Sequence, residues 1–289
     1  MRLAVVVNPV GAVDERPELE AALGKRSIDA TWIETSEEDP GVSAAKAAVA
    51  DGAELVLACG GDGTVRAVAE GVSETSVPIG IIPAGTGNLL ARNLEIPMNV
   101  EEALDVALSG DKRSLDAGEV EGEVFTVMAG AGVDAVIMDE TSSEAKDRLG
   151  SLAYVIEGAK HIFDEPIEAT VSAGDSVLSS GAWATILVGN LGRLQGGIDL
   201  FPDSKPGDGR LNLIGLAANG GLEAIAAGVA AATQSHSDRL LRATGTSFTI
   251  EFSEPVRYEL DGEARSPIDR LEIRVRPGAL LAMTPKSAT

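Results

Sequence analysis

The chain has 289 residues, 44% of them hydrophobic, with a formal net charge of −22 and a single cysteine, Cys59. That charge excludes a nucleic-acid partner gripped by a basic face, since phosphate contacts need clustered Lys and Arg, and it speaks against electrostatic attraction to anionic lipid surfaces. One cysteine excludes a disulfide framework or a cysteine-rich zinc site, and no apolar run reaches the roughly 18 residues of a bilayer span.

The opening run from Met1 to Pro9 lacks a small-residue cleavage site, so it reads as a buried strand and not a signal peptide, and a cytoplasmic location is expected. Acidic residues outnumber basic ones 45 to 23 and are spread along the chain, which suits either a solubilising shell for high salt or an ordinary acidic cytosolic protein. With aromatics at 3%, Val, Ile, Leu and Ala must fill the core. The length suggests two domains at about 150 residues each.

In chain order, a strand at 3–7 precedes a helix-prone stretch at 15–24 and a short strand at 30–34. Ser43 is placed to cap a helix running to about Ala50, with Gly52 just past its end. Leu55 to Ala58 is a strand that enters Cys59-Gly60-Gly61-Asp62-Gly63-Thr64, followed by a helix over about 64–70. Ile79 to Ile82 is another strand and ends at Pro83-Ala84-Gly85-Thr86-Gly87-Asn88; helices follow at 89–93 and 100–109. Strand, glycine loop and helix in repetition predict a parallel sheet with helices on both faces.

The pattern changes near Asp116-Ala117-Gly118. Beyond it lie β-type runs at 124–129, 167–172, 183–188, 210–215, 246–252, 256–260 and 270–275, with helical stretches at 151–163 and 221–242. The expected organisation is an α/β domain over 1–118 and a mainly β, sandwich-like domain over 119–278, with 279–289 returning to the first.

Two glycine loops carry the chemistry. Each follows a predicted strand and opens a helix, where glycines allow close approach of a polyphosphate and a helix N-terminus offers N–H groups. Thr64 would add a hydroxyl donor. Asp62 in an anion site makes sense as a Mg²⁺ ligand; a glycine turn with an Asp cap is the other reading. Two such loops at the ends of parallel strands would face one crevice. No P-loop signature is present. Gly130 to Ala135 resembles a dinucleotide fingerprint but reads as a turn, and His161 and His236 have no motif around them.

Gly60-Gly61-Asp62-Gly63-Thr64 together with Pro83-Ala84-Gly85-Thr86-Gly87-Asn88-Leu89-Leu90-Ala91-Arg92 resembles the diacylglycerol kinase catalytic-domain family, which includes sphingosine kinases and bacterial lipid kinases. Asn8-Pro9, Leu115 to Gly118, Gly189-Asn190, Gly196-Gly197, Pro202, Asp208 to Leu211 and Asp261-Gly262-Glu263 continue the resemblance in order along the chain.

The resemblance implies an NAD-kinase-like α/β nucleotide domain plus a β-sandwich, and transfer of the γ-phosphoryl of ATP to a lipid hydroxyl. It implies Asp261 as general base with Glu263 in support. It implies a Mg²⁺ network containing Asp62 and Asp116, and a second Mg²⁺ loop with the Asp208 carboxylate and the carbonyls of Lys205 and Arg210. Asn8, Pro9, Gly60, Gly61, Gly63, Thr64, Arg66, Gly85, Thr86 and Asn88 are the expected nucleotide contacts.

Three departures stand out. The opening motif reads Asn8-Pro9-Val10-Gly11, Leu89 follows Asn88 where many members have Asp, and Arg66-Ala67 replaces an Asn-Glu pair, with Arg66 either reaching a phosphate or lying solvated at the surface. An NAD kinase and a non-catalytic nucleotide- or lipid-binding regulator are the competing functions. The expected partner is a lipid met by peripheral membrane contact, with a homodimer through β edges as an open option.

Overall fold

The computed structural model describes residues 1–132, 166–193, 199–202, 204–218 and 240–286. Strands β1 (Leu3–Val7), β3 (Leu55–Gly60) and β4 (Ile79–Pro83) are buried along their whole length. Such uninterrupted apolar runs cannot show one face to water, so they belong in a parallel sheet covered on both sides. They pair in the order β4-β3-β1-β2, all parallel, with β2 (Ala30–Glu34) at the half-exposed edge.

Five helices join this sheet: α1 (Glu15–Lys25), α2 (Val42–Ala50), α3 (Asp62–Val72), α4 (Leu89–Asn93) and α5 (Val100–Ser109). The first of each packed pair meets the second directly, α2 on α3 and α1 on α5. The start of α2 differs from the expected Ser43 cap. Gly41 takes the N-cap place, and Asp39 Oδ1 accepts from the backbone N–H groups of Gly41 (3.1 Å) and Ser43 (3.2 Å). A carboxylate there satisfies two orphan donors and complements the helix dipole.

The remaining described strands are mainly antiparallel: β5 (Asp111–Val120), β6 (Glu123–Phe125), β7 (Met128–Ala131), β8 (Ile167–Ala173), β9 (Ser176–Gly189), β10 (Leu211–Ala217), β11 (Leu240–Gly245), β12 (Ser247–Leu260) and β13 (Glu263–Thr284). They enclose a second core of Phe125, Ile186, Leu211, Phe248 and Leu260, separate from the cluster around β1, β3 and β4. Residues 240–242, expected to end a helix, are strand instead, because Leu240–Gly245 pairs antiparallel with β10. The stretches 151–163 and 221–239, together with Gly196-Gly197, His161 and His236, lie outside the described residues.

One strand links the two cores. The 22 residues of β13 pair with β12 from Glu263 to Arg274, with β5 from Ile273 to Thr284, and at Ala282 with Ile79 of β4. Its register shifts between Arg276 and Leu280, where Pro277 and Gly278 sit, as expected where a proline removes a ladder donor. No helix among the described residues is long and apolar enough to cross a membrane.

Candidate functional site

Parallel pairing carries the C-terminal ends of β1, β3 and β4 to one edge. Asn8 N–H donates to Cys59 O (3.0 Å) and Ala84 N–H to Gly60 O (3.0 Å), so the three loops that follow these strands lie side by side. The two glycine loops touch backbone to backbone: a β-carbon on Gly85 would lie 2.5 Å from the Gly61 Cα. The glycines are therefore needed for loop-on-loop packing as well as for any ligand. Gly61, Asp62 and Gly63 are half-buried, while Gly85 and Thr86 are exposed, so both loops present backbone to the same open edge.

Several expected contacts have internal duties. Thr64 is buried and packs beneath Gly60, whose β-carbon would lie 2.6 Å from the Thr64 hydroxyl; it braces the loop from below and is not an exposed donor. Asn88 adopts a left-handed φ of 48° and staples its own loop, accepting from Gly85 N (3.0 Å) and donating to Gly85 O (2.6 Å). Asn8 Oδ1 accepts from Val10 N and Gly11 N, shaping the turn through Pro9. Asp62 Oδ1 accepts from the Leu89 N–H at 2.6 Å, which ties the first loop to the second.

Across the edge, the turn between β12 and β13 brings Asp261 and Glu263. Asp261 has φ of 49° and is 3% exposed. Its Oδ2 accepts from Thr126 N (2.7 Å) and Thr126 Oγ1 (2.8 Å), and its Oδ1 from Val127 N (2.8 Å) and Met128 N (2.9 Å). Burial pushes this carboxyl above the usual aspartate range, against the pull of those four bonds. Through these four bonds Asp261, expected as the general base, also locks the break between β6 and β7 to the β12–β13 turn.

Glu263 is the carboxylate that reaches the first glycine loop. Its Oε1 lies against Gly63, where any β-carbon would collide with it, and its Oε2 accepts from Arg66 Nη2 at 2.7 Å and lies 3.3 Å from Arg265 Nη2. Arg66 fits neither expectation made for it. It is 4% exposed, so it is not solvated, and its guanidinium is committed to Glu263, with Glu123 3.5 Å and Glu70 3.9 Å away.

Asp116 and Asp208 meet around the 205–210 turn. Asp116 is 2% exposed, and its two oxygens accept from Gly209 N (2.6 Å) and Gly278 N (2.8 Å), pinning the 205–210 turn and the β13 irregularity to β5. Asp208 closes an Asx turn on Arg210 N (3.0 Å), and its own N–H donates to Lys205 O. With Pro206 and a Gly207 φ of 97°, this is a tight turn that leaves Asp208 exposed.

Residues 2–120 match the family described as diacylglycerol kinase catalytic domain, and residues 127–284 match the YegS C-terminal NAD kinase beta sandwich-like domain. A curated protein of Pectobacterium atrosepticum named "Probable lipid kinase YegS-like" is 33% identical over 81% of this chain and 79% of its own length. The protein named "Diacylglycerol kinase" of Bacillus subtilis is 31% identical over 76% of this chain and 74% of its own. This chain belongs to the diacylglycerol kinase catalytic-domain family. Its fold is that of the family, an NAD-kinase-like α/β domain followed by a β-sandwich. A solved diacylglycerol kinase structure from Bacillus anthracis str. Sterne superposes with a TM-score of 0.77 at 23% identity, covering 98% of this chain and 96% of the other. An NAD kinase from Archaeoglobus fulgidus in complex with ATP shares the fold more loosely, with a TM-score of 0.54 at 13% identity over 98% of this chain and 94% of that one.

A kinase of this family implies a nucleotide with Mg²⁺, so the acidic residues can be tested for fit. No group of three or more His, Cys, Asp or Glu placed to hold a metal occurs among the described residues. Asp116, expected with Asp62 in one network, accepts from Gly209 N and Gly278 N, and Asp208, expected in a second Mg²⁺ loop, accepts from Arg210 N. Leu89, where many members carry Asp, is buried and offers only its N–H. At the glycine edge stand Asp62 and, paired with Arg66, Glu263. So sparse a carboxylate set fits a Mg²⁺ carried on substrate phosphates with its own waters, and does not fit an all-protein cage.

The sequence reading passed over Arg265, Glu123 and Thr126. Arg265 was signalled by its spacing: two residues after Glu263, it shares a strand face with it. Thr126 carried no local signal, since its role depends on a turn 135 residues away.

Proposed function

We propose that this kinase transfers the γ-phosphoryl group of ATP to a hydroxyl of a lipid such as diacylglycerol or a related diol. The observation that carries the reading is the pair of glycine loops in backbone contact at the C-terminal edge of the parallel sheet, with Glu263 facing them from the second layer. Open α/β sheets bind ligands at that edge. The relatives named lipid kinase and diacylglycerol kinase supply the acceptor class.

In this reading the N–H groups of the two loops and of the start of α3 cradle the phosphates. Asp62 would hold Mg²⁺, which would supply positive charge to offset that of the phosphates. Phosphoryl transfer passes through a loose transition state, so positioning and electrostatics outweigh proton abstraction. Glu263 orients the acceptor hydroxyl, and Asp261 fixes the turn that presents Glu263. The lipid is met by transient contact of a cytoplasmic protein with a membrane surface. With a net charge of −22, that contact relies on apolar and headgroup interactions and gains nothing from anionic lipid.

The test is transfer of labelled γ-phosphate from Mg·ATP to a total lipid extract, at low and high salt. Label in a chloroform-soluble product supports the reading, and its mass names the acceptor. Label in NAD in a parallel reaction would assign the protein to the NAD kinases. Neither product, from folded protein that still binds ATP, would leave a nucleotide-binding regulator.

A further inference from the structure

We infer that Arg66 and Arg265 are positioning residues that hold the Glu263 carboxylate against Gly63, so that Gly63 is required by Glu263 and not by phosphate. The inference rests on the kinase reading above. Gly63 and Arg66 are three apart on α3 and so share a helix face. Glu263 comes from the other layer and spans both, with Oε1 on Gly63 and Oε2 on Arg66. Arg265 Nε donates to Glu123 Oε2 at 3.0 Å, and its Nη2 is 3.3 Å from Glu263 Oε2. Both guanidinium groups thus converge on one oxygen of Glu263 and leave the other directed at the loop.

A cluster present only for stability would be expected to satisfy its atoms. Arg66 is buried, yet its Nε has no hydrogen-bond partner. Burying an incompletely paired guanidinium opposes stability, and apolar packing of similar volume often does better. Holding one carboxylate at a fixed point of the crevice accounts for that arrangement. Gly63 has no positive φ to explain it, and within a helix Ala would be favoured over Gly by about 1 kcal/mol. What excludes a β-carbon there is Glu263.

The experiment uses the full chain with Mg·ATP and diacylglycerol in detergent micelles, comparing wild type with Gly63→Ala, Arg66→Gln, Arg66→Lys and Arg265→Gln. ATP affinity is measured separately by calorimetry. Gly63→Ala should keep ATP affinity within about twofold while kcat falls on the order of 10- to 100-fold, the loss typical of a ~1 Å misplacement. Arg66→Gln should do the same, Arg66→Lys should recover part of the loss, and Gly63→Ala added to Arg66→Gln should lose little more than either alone. Weakened ATP binding with unchanged kcat in Gly63→Ala would overturn the inference and give that glycine to the phosphates. Undiminished kcat in all four variants would overturn it as well. An inactive wild type would instead sink the kinase reading and this inference with it. Should Arg66→Gln fail to fold, Gly63→Ala decides alone.

Discussion

Replacing Asp261 by Asn separates two roles for this residue. If Asp261 is a base and nothing more, the variant folds normally and fails to turn over. The structure predicts a loss of stability first. An Asn keeps one oxygen, which can serve Val127 N and Met128 N, but its amide then faces the Thr126 N–H donor to donor. The Thr126 hydroxyl can rotate to accept, so the change leaves one orphaned N–H and one lost charge-assisted bond. Hydrogen bonds to charged groups contribute about 1.5–3 kcal/mol, and a buried unsatisfied N–H costs about 1–3 kcal/mol. A neutral amide is easier to bury than a carboxylate, which returns part of this. The net expectation is about 3 kcal/mol, or on the order of a hundredfold in the folding constant. Urea unfolding followed by fluorescence of Trp32 and Trp183 measures it directly. An unchanged midpoint in Asp261→Asn, with turnover abolished, would refute the cage argument and leave Asp261 a base alone.

Other outcomes follow from particular contacts. Gly85→Ala puts a β-carbon 2.5 Å from the Gly61 Cα, so the loops must part and ATP affinity should fall by about tenfold or more; unchanged affinity by calorimetry would deny that loop contact shapes the site. Asp39→Ala removes the carboxylate that caps α2 and should cost about 1 kcal/mol at pH 7. Partial burial raises the Asp39 carboxyl, but the bonds from Gly41, Ser43 and Ala44 outweigh it and hold its pKa below the ordinary value. The contribution is therefore present above the unfolded pKa of about 3.9 and is lost as pH falls through the lower folded value, so the gap between wild type and variant in urea midpoint should narrow towards pH 3. Burial pushes the Cys59 thiol up to about 12, so a disulfide reagent at pH 8 should label it only on unfolding, and rapid labelling of folded protein would contradict its place in β3.

How far the site was legible depends on the range of the interactions that build it. The glycine loops could be read from residues alone, because strand, glycine and helix start are adjacent in sequence and parallel pairing then leaves their ends no other edge. The buried runs of β1, β3 and β4 were legible for the same reason. The length of β13 was not. Pro267 and the Pro277-Gly278 pair read as breaks, yet the strand absorbs them at irregularities in its pairing and continues from one core to the other. β5 was hidden by its polar, exposed start, Asp111-Lys112-Arg113-Ser114, although all of it pairs along β13 except Asp116. That continuity decides the roles of the acidic residues. Asp116 looked like a metal ligand beside a glycine, but its partners are Gly209 and Gly278, 93 and 162 residues away. Asp261 and Glu263 looked alike as members of one short motif. A left-handed residue at 261 turns the first carboxylate inward to Thr126 and leaves the second, at the start of β13, to cross to α3. The same Asp-Gly-Glu therefore holds one residue that fixes a turn and one that faces the first glycine loop, a division that the long-range pairing of β12 with β7 and β13 creates.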